Sequence, residues 1–169
     1  MDANLKAYTN LAEVLEDEIK VYRAMLDLVR REKEVLIAAN VTELEECNQA
    51  KEVMVLKVRG LERIREKAAR ELGTAVGVTT ENPRLLELAS KMLDPEASKL
   101  RSVHSTLDLL VKRIKDLNGA NEELIQSSLK AVNGALGAIK QTLQPKTTYA
   151  PSGEVKQNDV SGYFVSKEV

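Results

Sequence analysis

From Tyr8 the apolar residues return at steps of three and four: Tyr8, Leu11, Leu15, Ile19, Tyr22, Leu26 and Val29, with Lys33 interrupting before Leu36. That period places one apolar stripe along a helix of nearly ten turns. At about 1.5 Å per residue such a helix is on the order of 50 Å long, which suits a coiled-coil-like layer better than a globule. Asn40 and Val41 break the stripe, and Thr42 with Glu45 has the spacing of a capping box. A second stripe runs Leu44, Cys47, Met54, Val58, Leu61, Ile64, Ala68 and Leu72, with Lys51 at the heptad position between Cys47 and Met54. The two segments read as an antiparallel hairpin. One continuous helix through Leu72 is the competing reading, because Asn40 and Val41 are tolerable inside a helix.

Gly73 to Thr80 carries two Gly and three Thr and reads as a linker. Asn82 followed by Pro83, and Asp94 followed by Pro95, each pair a capping residue with the proline favoured at a first helical position. They predict a short helix from Pro83 to Leu93 and then a long one. The long helix carries the stripe Leu100, Val103, Leu107, Leu110, Ile114, Leu117, Asn121, Leu124 and, beyond it, the stripe Ile125, Leu129, Val132, Leu136, Ile139, Leu143. Gly134 and Gly137 lie inside the second stripe at a cost of about 1 kcal/mol each relative to Ala. Pro145 ends the pattern, and Lys146 to Val169 is polar, without Leu, Ile or Met. The expected fold is therefore all-α. A helical bundle spans 1–144, with helices over about 3–39, 42–72, 83–93 and 95–143 forming an antiparallel hairpin plus a long C-terminal helix, and a polar tail spans 145–169.

Composition narrows the function. Five aromatic residues in 169 leave little for a globular core, and 25 basic against 26 acidic residues provide no net field for nucleic acid, an anionic membrane or an acidic substrate. The longest aliphatic run, Val53 to Leu56, is far short of the roughly 20 residues of a membrane span. A single cysteine and the absence of a signal peptide point to the cytoplasm. The chemistry of catalysis is missing. The only histidine, His104, follows Arg101 by three residues, so no Glu-x-x-His ligand pair exists and no metal or cofactor is expected. Cys47 has no second Cys or His to activate it and reads as a core residue. Gly73 and Gly77 lack the strand and the Lys-Ser or Lys-Thr of a phosphate loop. Mixed runs such as Arg30 to Glu34 and Arg63 to Glu71 are solvated helix faces. An enzyme acting on a small-molecule substrate is not expected; a binder of another protein is.

Asn121 is the informative polar residue, because it falls on the apolar stripe. It reads either as a register pin of the coiled-coil kind or as an amide offered to a partner helix. Leu117-Asn118-Gly119-Ala120-Asn121-Glu122-Glu123-Leu124-Ile125 and, later, Tyr149-Ala150-Pro151-Ser152-Gly153 resemble the Leu-Asn-x-x-Asn-x-x-Leu and Tyr-x-x-x-Gly segments of the FlgN family of flagellar export chaperones. The Glu-Leu-Lys rhythm of Glu32 to Leu36, Asn40 to Leu44, Lys51-Glu52 and Leu61-Glu62 ahead of Arg65 is similar to that family's hairpin, so the likeness covers most of the chain. The resemblance implies that Asn118, Asn121, Leu124, Ile125, Leu129, Val132, Leu136, Ile139 and Leu143 receive the amphipathic terminal helix of FlgK-like or FlgL-like junction proteins. It also implies that Tyr149 docks into the export gate protein FlhA. The same stripe could instead pack on the first two helices, and Tyr149 could fold back on its own bundle. Tyr163 and Phe164 are left unexplained. A self-associating coiled-coil scaffold, or an adaptor resembling the export chaperone FliT with another cargo, is the competing function. Heptads do not count subunits, so a homodimer stays open.

Overall fold

A computed structural model describes residues 3–143 of the chain. The helices are α1 (Ala3–Ile37), α2 (Val41–Val76), α3 (Leu85–Ser90) and α4 (Glu96–Leu143), and among the described residues there is no strand. The all-α hairpin expected from the stripes is present. The tail over 145–169 lies outside the described residues.

The turn between α1 and α2 is real, and local hydrogen bonding explains it. The Asn40 N–H reaches back to the carbonyl of Val35 while Ala39 takes a left-handed φ of 53°, the closure of a Schellman-type helix end. Asn40 then caps α2. Its Oδ1 accepts from the Glu43 N–H at 3.2 Å, and its Nδ2 donates to the Glu43 carboxylate at 2.7 Å. The reciprocal pair is thus Asn40 with Glu43, two residues before the Thr42 and Glu45 spacing that the sequence suggested.

The segment expected to be a linker from Gly73 is partly helical. α2 continues to Val76 and closes at Gly77, whose φ of 76° suits glycine, with the Val78 N–H bonded to the Gly73 carbonyl at 2.8 Å. Gly73 is buried inside α2, because Pro83 packs there: a Cβ at position 73 would stand 3.1 Å from Pro83 Cγ. Pro83 is therefore a packing residue and not the first residue of a helix. α3 is correspondingly shorter than the expected span from Pro83 to Leu93, starting only after Arg84, whose N–H faces the Glu87 carboxylate at 3.5 Å. Asp94 does cap α4, accepting from the Ser98 N–H at 3.1 Å.

The chain divides into two units, Met1–Ile125 and Gln126–Val169. The first holds the core. Leu11 and Leu15 of α1, Ala68, Ala69 and Leu72 of α2, Leu85, Leu88 and Ala89 of α3, and Leu100 of α4 form one buried cluster. Leu26 and Val29 meet Leu110 and Ile114 in another. Small alanines and a glycine on α2 make room for α3, which covers that end of the hairpin. Of the second unit the structure describes the α4 residues 126–143.

Beside the exposed pair of Arg31 and Glu43 at 3.6 Å near the turn, two ion pairs with buried carboxylates bridge the hairpin. Arg65 Nε donates to Glu18 at 3.1 Å, and Lys51 Nζ donates to both oxygens of Glu32 at 2.8 and 2.9 Å. Both carboxylates are buried. Glu18 and Glu32 are two heptads apart, and so are Lys51 and Arg65, so both pairs lock the same antiparallel register. This corrects two assignments on the stripes. Ile64 is exposed and Arg65 occupies the seam, because Glu18 lies opposite; and the polar interruption of α1 is Glu32, which is buried, while Lys33 is only half-buried.

Burial holds the Glu18 carboxyl above the ordinary carboxylate range, with Arg65 pulling it back down and Glu62 adding to the rise. A carboxyl raised by folding stabilises the fold fully below its unfolded value and loses that contribution as pH climbs through the raised one. The penalty of Glu18→Gln should therefore be smaller at pH 7 than at pH 4. Thermal melts of the two proteins at both pH values measure it; an equal or larger penalty at pH 7 would show that the Arg65 pairing outweighs burial.

Candidate functional site

α4 carries two features that could serve a partner: a polar layer at Asn121, and an apolar line that begins one turn later. The polar layer is built by all three long helices. Asn121 is 2% exposed, and its Nδ2 donates to the Val29 carbonyl at 3.1 Å and to Glu32 at 2.9 Å. Glu32 also holds Lys51, and the Lys51 ammonium lies 3.4 Å from Asn118 Oδ1. One carboxylate, one ammonium and two amides thus tie α1, α2 and α4 together at a single level. Asn121 Oδ1 is buried without a hydrogen-bond partner, so the layer leaves one acceptor unused.

Of the two readings of Asn121, these inward bonds are the geometry of a register pin. An Asn on the stripe of α4 would be costly facing aliphatic residues, and it is placed here because α1 presents a carbonyl and a carboxylate to it. Asn118, half-buried, accepts from the same Lys51. The sequence signal for Lys51 was its seat at a heptad position between Cys47 and Met54. Its partner Glu32 carries no such signal, because the step of four from Val29 falls on Lys33, next to it.

Past this layer the character of α4 changes. Leu124 is half-buried, and from Ile125 to Leu143 every residue is exposed. Leu129, Val132, Leu136, Ile139 and Leu143 are between 52 and 66% exposed. Their steps of three and four residues put them on one helical face. Five large aliphatic side chains in one exposed line exceed the scattered apolar exposure normal for a protein surface. Gly134 and Gly137 lie within this stretch with no atom near the place a Cβ would take. No acidic residue occurs between Ile125 and Leu143, and the charges there are Lys130 and Lys140.

A smaller apolar exposure was missed in the sequence. Val53, Leu56 and Ile64 stand out from α2, and Val55 and Leu56 line a shallow groove with Asn48, Lys51, Glu52 and Arg59. The heptad spacing places Ile64 on the core stripe, and its exposure follows only from Arg65 taking the seam.

Cys47 is buried and free, and among the described residues no group of His, Cys, Asp and Glu is placed to hold a metal ion. No described helix is long and apolar enough to cross a membrane. Tyr149, Tyr163 and Phe164 lie outside the described residues. Compared with known proteins, residues 1–157 match the family model described as FlgN protein. No curated protein and no solved structure gives a significant match.

Proposed function

This chain belongs to the FlgN family of flagellar export chaperones, and from that premise we propose that its cargo is the C-terminal amphipathic helix of FlgK-like and FlgL-like junction proteins. The observation that carries the reading is the exposed line Leu129, Val132, Leu136, Ile139 and Leu143 on α4. An amphipathic helix laid along it buries aliphatic anchors at a spacing that matches its own, the helix-in-groove mode of recognition. Apolar burial at about 25 cal/mol per Å² supplies the drive. Capping the cargo helix in the cytoplasm keeps it from premature association. Tyr149 then docks the loaded chaperone on the cytoplasmic domain of FlhA. The mechanism uses non-covalent binding alone and calls for neither a cofactor nor nucleic acid.

Calorimetric titration of the full chain with synthetic C-terminal peptides of FlgK and FlgL, against the filament protein's C-terminal peptide as control, tests the cargo. Saturable binding at micromolar or lower Kd with a negative heat-capacity change is expected. Addition of the FlhA cytoplasmic domain to the loaded protein should give a ternary complex that Tyr149→Ala does not form. If neither junction peptide binds, the cargo assignment is wrong. A stable oligomer that no peptide dissociates would then favour the self-associating scaffold.

A further inference from the structure

α2 turns a second face away from the bundle. Cys47, Ala68 and Leu72 are buried in the seam, while Gln49, Val53, Leu56, Gly60 and Arg63 lie on the far side of the helix and are all exposed. Their steps of three and four give a heptad with Val53 and Gly60 at a and with Gln49, Leu56 and Arg63 at d. No atom stands near the place a Cβ on Gly60 would take, and Leu56 with Glu52 and Arg59 lines the shallow groove beside this face. The exposed charges are sorted along the helix. From Val41 to Leu56 they are Glu45, Glu46 and Glu52, with no base; from Lys57 to Glu71 five bases stand against two acids. Among the described residues Glu45, Glu46, Glu52, Arg59 and Arg63 take part in no ion pair.

An acidic half followed by a basic half is self-complementary only when the face meets itself head to tail. Two parallel copies would set Glu46 on Glu46 and Arg63 on Arg63. In an antiparallel pair each flank lies beside the same flank of the other helix, and the two-fold axis fixes the register. With the axis between Met54 and Val55, Val53 faces Leu56 of the second copy and Leu56 faces its Val53. Glu52 then lies beside Arg59 of the second copy, and Arg63 of the second copy falls next to Glu45 and Glu46; symmetry makes each contact twice. Moving the partner by one heptad in one direction places Arg59 on Arg59 and Lys57 on Lys57, and in the other direction Glu52 on Glu52. One register alone joins the aliphatic side chains at the centre and opposes unlike charges at the margins.

We infer that α2 pairs antiparallel with α2 of a second copy of this chain, centred between Met54 and Val55 on Val53 and Leu56, with Glu52 against Arg59 and Glu46 against Arg63 across the two-fold axis. The apolar centre is small, so the dimer is weak and forms as concentration rises. This surface shares no residue with the apolar line of α4, so the dimer and the cargo reading can fail separately.

Sedimentation equilibrium of the full chain over a wide range of concentrations tests it. A reversible equilibrium between monomer and dimer is expected. Leu56→Glu, which brings carboxylates into the centre of the contact, should leave monomer throughout. Glu52→Arg should weaken the dimer by about tenfold, because it sets two guanidinium groups side by side at both symmetric contacts. Combining Glu52→Arg with Arg59→Glu should restore it, a rescue that a change in net charge alone does not produce. All three positions are exposed, so circular dichroism should show unchanged helix content in every variant. A chain that stays monomeric at every concentration overturns the inference. So does a dimer that Leu56→Glu leaves intact, or one that the double charge exchange fails to recover.

Discussion

Replacing Leu129 or Leu136 with Asp should lower the affinity for a junction-protein helix by at least about 100-fold per substitution, with the bundle as stable as before. Full burial of a leucine side chain on binding contributes about 1.5–3 kcal/mol, and every 1.4 kcal/mol is tenfold in Kd. The introduced carboxylate adds to the loss, because an ion without a partner resists transfer into an apolar contact. The fold should not respond, since both positions are more than half exposed and lie in the stretch of α4 where no residue is buried. Calorimetric titration with the peptide and a thermal melt on the same sample separate the two effects. Normal peptide binding by both variants would move the cargo site elsewhere, and a collapsed melting transition would mean that these leucines hold the fold.

The second large effect concerns stability. Lys51→Met removes the ammonium that faces both oxygens of Glu32 and leaves a buried carboxylate held only by the Asn121 amide. Breaking a buried pair from one side costs about 3–5 kcal/mol, since the remaining charge keeps its desolvation penalty. The lower end applies here because the Lys51 side chain is 28% exposed. A loss of about 3 kcal/mol corresponds to about 10 °C in Tm for a chain of this size. The triple replacement Glu32→Leu, Lys51→Leu and Asn121→Leu should recover most of that loss, because apolar residues of similar volume need no partners. Its cost should appear as register: with the pin removed, the hairpin keeps the Glu18 and Arg65 pair and the exposed Arg31 and Glu43 pair to distinguish adjacent heptad alignments. Denaturant melts measure the first effect, and a cysteine cross-linking ladder between α1 and α2 measures the second. A Lys51→Met protein as stable as its parent would show that solvent reaches Glu32 and satisfies it.

These expectations rest on parts of the molecule that differ in how visible they were beforehand. The stripe from Leu100 to Leu124 was legible because the heptad repeats several times, and one ambiguous residue cannot shift it. It holds in the structure, with Leu100, Leu110, Ile114 and Asn121 buried along it. The cap at Asp94 was legible because capping is chemistry within four residues. Position 64 was not. Ile64 and Arg65 are adjacent, either could face the seam, and hydropathy favours isoleucine; Glu18, on another helix, reverses the choice. Gly73 looked like a linker residue because glycine usually is one, and only Pro83, ten residues on, shows that the missing side chain is room for a neighbour.

The sequence by itself determined that the chain is all-helical, where its long helices run, that Asn121 sits on a core line, and which face of α4 is apolar beyond it. These are properties of period and local capping, which act within a few residues of the chain. Tertiary structure alone decided that Asn121 faces inward to Val29 and Glu32, that Arg65 displaces Ile64, and that the apolar line from Leu129 to Leu143 is exposed. The physical reason is the same in each case. A heptad states that a face seeks an apolar or complementary surface, and whether one is present depends on residues far away in sequence.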